Sequence, residues 1–196
     1  MRKLALAGVF LLGLALPSAA GEVPRKKIDV LEKAFDATMV ESSNALVRPG
    51  RVARGVYIEA FGVLFKMEFT FVHRPSMKLM DNMDNIDSLK DYWREVIRED
   101  DEKGEEGAKR RREQLDRIED ELIETLVDYG STLGSLGDDE RVAIVAFPWE
   151  GAWEVSPSPV RSIRITARFG DIRAYAESRI DEAAVRSRVQ VVEEVK

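Results

Sequence analysis

Apolar residues recur at three- and four-residue steps at Ile28, Leu31, Phe35 and Met39, with Asp29, Glu32, Lys33 and Asp36 between them. That spacing predicts a helix with one apolar stripe. From Val52 to Val72 the period changes to two: Val56 and Ile58 precede Phe61 and Gly62, and Phe65, Met67, Phe69 and Phe71 then alternate with Leu64, Lys66, Glu68 and Thr70. This is the pattern of a β-hairpin. Gly62 is the expected turn residue, because without a Cβ it takes positive φ freely. Pro75 brings no amide hydrogen to the ladder and ends the second strand. A polar stretch runs on through Asn85, and Leu89, Trp93, Val96 and Ile97 then predict a short helix.

Gly104 and Gly107 interrupt a charged connector, after which Leu115, Ile118, Leu122, Leu126, Tyr129, Leu133 and Leu136 hold helical spacing over about six turns. The other faces of this helix carry opposite charges four apart, Glu113 with Arg117 and Arg117 with Glu121, which suit a solvated surface. Gly130, Gly134 and Gly137 each cost about 1 kcal/mol against alanine inside a helix, so the regular helix is expected to stop near Gly130. Val142 to Phe147 is a continuous apolar run closed by Pro148, as for a strand buried on both faces. In the stretch Val160 to Phe169, Ile163, Ile165, Ala167 and Phe169 alternate with Arg164, Thr166 and Arg168, which predicts a half-buried strand with a basic outer row. Asp171 and Asp181 are expected to cap two short helices, and Val189 to Val192 to form an edge strand.

This order predicts an α+β fold in which an antiparallel sheet is covered on one face by helices, a two-layer sandwich with one long amphipathic helix. Residues 21–196 are expected to form a single domain, with a charged helical segment at about 85–137.

Residues 1–20 divide into a basic start at Arg2 and Lys3, an apolar run from Leu4 to Leu16, and Pro17, Ser18, Ala19 and Ala20. That layout predicts a secretory signal peptide cleaved before Gly21, so that the chain is exported to the periplasm or beyond. The apolar run is shorter than the about 20 residues of a spanning helix, and no stable membrane anchor is expected after cleavage. With no cysteine, the chain carries neither a lipid at the cleavage point nor disulfides, and the core alone must hold the domain. The formal charge of −6, more acidic still without Arg2 and Lys3, argues against a nucleic-acid partner.

The element order resembles that of profilin-like and roadblock-like sandwiches, a likeness of order that implies nothing about function. The strands from Val56 to Phe71, with Gly170-Asp171-Ile172 and Arg179-Ile180-Asp181-Glu182, also resemble exported bacterial proteins of unknown function. That resemblance implies export, and neither an activity nor a site residue comes with it.

The candidate chemistry is sparse. His73 is the lone histidine, which leaves only carboxylates and carbonyls for a metal, and no metal site is expected. Asp81, Asp84 and Asp87 are spaced by three with Met83 and Ile86 intervening, which does not fit a calcium loop with oxygens at every second position. No Gly-x-Ser-x-Gly elbow or Walker spacing occurs, so neither a serine triad nor a nucleotide cradle is supported and no cofactor is expected. Lys109, Arg110, Arg111 and Arg112 are followed by acids at helical steps and read as a solvated face.

The segment between the last two long strands stands apart, because Trp149 and Trp153, flanked by Glu150 and Glu154, sit among turn-forming residues. Indoles are strong anchors for proteins and for sugar rings, so Trp149, Glu150, Trp153 and Glu154 are the candidate binding residues. No catalytic residue is assigned. The expected function is that of an exported, non-enzymatic envelope protein that binds a protein partner; the pattern specifies no oligomeric state. The alternative is a carboxylate-based hydrolase of cell-wall or exopolysaccharide glycans, which requires two carboxyls about 5 to 9.5 Å apart in a cleft, one with a raised pKa.

Overall fold

Ile28, Leu31, Phe35 and Met39 form one buried stripe along helix α1 (Arg25–Glu41). The computed structural model, which describes residues 22–47, 52–71, 104–149 and 160–195, seats that stripe on the sheet, where Phe35 meets Phe65 edge-on at 5.2 Å between ring centroids. Among the described residues there are four helices and six strands, a mixed α and β fold whose sheet is not closed.

The hairpin has the expected pieces. Strand β2 (Arg54–Ile58) runs antiparallel to β3 (Gly62–Phe71), from Arg54 opposite Lys66 to Ile58 opposite Gly62. Its turn uses positive φ at Ala60 and Gly62. The short β1 (Ala45–Leu46) pairs with the far end of β3 at Phe71 and Thr70. Along β3, Val63, Phe65, Met67, Phe69 and Phe71 are buried, whereas Lys66 and Glu68 are exposed.

Acidic side chains of α1 hold the start of this hairpin. Glu32 is fully buried, although its place among the polar positions of the helix gave it no such role; its Oε1 accepts from the Gly55 amide at 2.7 Å and from Arg25 at 2.5 Å. Arg25 also donates to the Gly55 carbonyl at 2.6 Å, and Asp36 accepts from the amides of Val52 and Ala53. Gly55 lies so close to the helix that a Cβ would come within 2.5 Å of both Ile28 and Phe65. The absence of a side chain there is what lets α1 reach the strand backbone.

Helix α2 (Gly104–Tyr129) gives way to a 3₁₀ turn (Gly130–Leu133) at the expected glycine. Leu115, Ile118, Leu122, Leu126, Leu133 and Leu136 are buried as the spacing requires. Tyr129, predicted on the same stripe, is half exposed where the helix tightens into that turn. The charge pairs also differ from expectation: Arg112 meets Asp116 at 2.7 Å, while Glu121 turns towards α1 and accepts from Asn44 at 2.9 Å. The hydroxyls of Thr38 and Thr125 join the two helices at 2.7 Å.

Strand β4 (Arg141–Pro148) corrects the expected antiparallel sheet, because it lies parallel to β3, from Gly62 opposite Arg141 to Phe69 opposite Pro148. A parallel pair needs a crossover, and the connection containing α2 provides one. Alternation of apolar residues reports which face a residue occupies and is blind to strand direction. Ala143 is buried on the outer side of β4 but Val145 and Phe147 are only partly so, which makes the strand less enclosed than its apolar run suggested.

Strand β5 (Val160–Arg168) is antiparallel to β4 and half-buried as expected. Helix α3 (Phe169–Ala176) follows without a break, so Asp171 lies in its first turn and accepts from Arg188 at 2.7 Å instead of capping it. The strand enters the helix three residues earlier than the capping signal implied, since Phe169 is itself a core residue. Asp181 does cap helix α4 (Glu182–Arg188), accepting from the Ala184 amide at 2.8 Å. Strand β6 (Gln190–Val195) pairs antiparallel with β5 and ends the strand order. The expected signal peptide at 1–20, the helix near Leu89 to Ile97, the acidic run Asp81 to Asp87 and His73 lie outside the described residues.

Candidate functional site

Of the four residues singled out in the sequence, the structure describes Trp149 alone; Glu150, Trp153 and Glu154 lie outside the described residues. Trp149 extends the parallel ladder, its amide donating to the Phe69 carbonyl at 2.5 Å, and it is 38% exposed. The apolar stripe of α2 is occupied within the domain, since Leu115, Ile118, Leu122 and Leu126 are buried and α2 packs on α1 and β5.

The face of the sheet opposite the buried one presents a surface that sequence reasoning missed. The strand registers place Arg54, Lys66, Val145, Arg164 and Val192 in one row across five strands. The neighbouring row is Val56, Leu64, Ala143, Thr166 and Gln190, and beyond it Arg141 lies opposite Arg168. Val56, Ile58 and Val192 are 40–52% exposed, and the five basic side chains are exposed too. Lys66 pairs with Glu68 at 2.8 Å and stands 5.4 Å from the centroid of the Phe147 ring; Arg168 pairs with Asp139. Trp149 comes two residues after Phe147 in the same alternation, at the end of this face. The basic outer row of β5 was visible in the sequence, but its companions come from β2, β3 and β4, and only the registers align them.

Carboxylates gather in two other places. An open depression of about 420 Å³ between α1 and α2 is lined by Glu41, Glu121, Glu124 and Asp128 with the hydroxyls of Thr38, Ser42, Ser43 and Thr125. Where α2 meets β6, Glu119 faces Glu193, and Arg112 bonds Glu193 at 2.6 Å. Burial, and then repulsion and hydrogen bonding from Glu193, push the Glu119 carboxyl up to about 7, against an opposing pull from Arg112. Glu119 is not among the residues lining the depression, so the acid with the raised pKa and the acid-lined cleft are separate. Among the described residues no group of three metal-ligating side chains converges, and no helix is long and apolar enough to cross a membrane.

The Glu119–Glu193 contact makes stability depend on pH. The folded chain keeps on Glu119 a proton that the unfolded chain releases near pH 4.5, so this contribution is complete below that pH and is lost as pH rises through about 7. Glu119→Gln removes the dependence. Denaturant midpoints should show the variant gaining on the parent chain between pH 5 and pH 8, by on the order of 1 kcal/mol after allowance for solvent screening. An equal difference at both pH values would refute the assignment.

No family model matches the chain, and neither a curated protein nor a solved structure matches it.

Proposed function

We propose that this chain is an exported periplasmic or envelope protein, without catalytic activity of its own, that binds another protein through the open face of its sheet. The fold is read as two layers, helices on one side and the sheet on the other. The observation that carries the reading is the cross-strand surface of aliphatic and basic side chains, with exposed Val56, Ile58 and Val192 beside Arg54, Lys66 and Arg164. Exposed apolar surface of this kind, bordered by charge, is typical of contact sites. Trp149 at its end supplies the aromatic anchor such sites favour. The glycan-hydrolase alternative draws less support, because the proton-holding Glu119 lies apart from the acidic depression.

A photo-crosslinking side chain placed at Thr166, on the open face, should give a discrete protein adduct in native envelopes, whereas one at Asp120, on the exposed side of α2, should not. Absence of an adduct at Thr166 from exported, folded material would overturn the proposal. Glycan cleavage by the purified chain, lost in Glu121→Gln or Glu124→Gln, would put the hydrolase in its place.

A further inference from the structure

We infer that the open sheet face receives an acidic protein segment whose carboxylates are engaged by Arg54, Arg141 and Arg164. This rests on the protein-binding reading and adds the chemistry of the partner.

The chain is acidic overall, with a formal charge of −6, yet this face is basic. Several arginines elsewhere are matched within the fold: Arg25 with Glu32, Arg112 with Asp116 and Glu193, Arg173 with Asp138, and Arg188 with Asp171. On the open face Lys66 and Arg168 are matched too, by Glu68 and Asp139. Among the described residues Arg54, Arg141 and Arg164 form no ion pair, which is true also of Arg110 and Arg117 on α2, but these three stand together on one face of the sheet.

Their placement suits a narrow ligand. Arg54 and Arg164 share a row three strand steps apart, about 14 Å at the usual strand spacing. Arg141 lies four residues along β4 from the Val145 that faces Arg164, about 13 Å away. Leu64, Ala143 and Val145 form an aliphatic floor between them. Each guanidinium offers a planar fork that fits a carboxylate with two hydrogen bonds. A segment about 15 Å long, with acids at its ends and apolar residues between, spans two of them while covering the floor, and a further acid on its flank meets the third. A flat anionic bilayer would also press against Glu68, Glu194 and the fully exposed Asp139 around the same face, and so fits less well.

The test uses the chain purified after export and an octapeptide alternating Glu and Val, with a Lys–Val octapeptide as control. Amide resonances of Val145, Thr166 and Val192 should shift with the acidic peptide only, and binding should weaken as salt is raised. Replacing Arg54, Arg141 and Arg164 together by alanine should lower the affinity at least tenfold while leaving the circular dichroism unchanged. Equal binding by the triple variant, shifts confined to α2, or binding of phosphatidylglycerol vesicles but not of the peptide would overturn the inference. The crosslink at Thr166 separates the two levels: an adduct that survives in the triple variant leaves protein binding standing and removes the acidic partner, whereas no adduct in either chain removes both.

Discussion

Gly62→Ala is expected to destabilise the chain by roughly 3–5 kcal/mol, seen as a lowered urea midpoint. Two costs combine. At φ 121° an L-residue is strained whatever the space around it. In addition, the new Cβ would overlap the carbonyl oxygen of Arg141, the residue opposite Gly62 in the parallel register. The backbone cannot retreat easily, because the Arg141 amide is itself bonded to the Phe61 carbonyl at 2.7 Å, and the preceding Glu140 accepts from both Tyr57 and the Gly137 amide. The neighbouring Ala60→Gly should act in the opposite direction by up to about 1 kcal/mol, since alanine there already occupies the left-handed region at φ 62°. A Gly62→Ala chain as stable as the parent would mean that β3 and β4 do not meet at this register.

Glu32→Ala is expected to cost about 3 kcal/mol in the same measurement. The carboxylate is fully buried between α1 and β2, and its loss leaves the Gly55 amide without an acceptor and Arg25 without its closest anion. Glu32→Gln keeps an acceptor for the amide and should lose less. Amide hydrogen exchange gives an independent reading: protection at Gly55 should fall sharply in the alanine variant and remain largely intact in the glutamine variant. Equal losses in the two variants would assign the effect to charge alone and refute the role given to the amide bond.

The contrast between these two sites shows where the amino-acid sequence suffices. Gly62 was legible as a turn residue because positive φ is a property of one backbone position, but the close approach of Arg141 depends on a strand far along the chain. Glu32 looked like any polar residue on the outside of an amphipathic helix; its burial follows from Gly55, whose missing side chain admits the helix to the strand. Trp149 was found from its surroundings in the sequence, whereas the basic row to which its strand contributes was not, because its members belong to different strands.

By itself the sequence determined the apolar stripes of α1 and α2, the β2–β3 hairpin, the stop at Gly130 and the Asp181 cap. Each of these follows from side-chain periodicity or from the φ, ψ and capping needs of adjacent residues. Only the tertiary structure decided that β3 and β4 run parallel, that Glu119 faces Glu193, and that three arginines share an open face. Those outcomes depend on strand direction, register and burial, and each is set by contacts between segments remote in the chain, which no local pattern encodes.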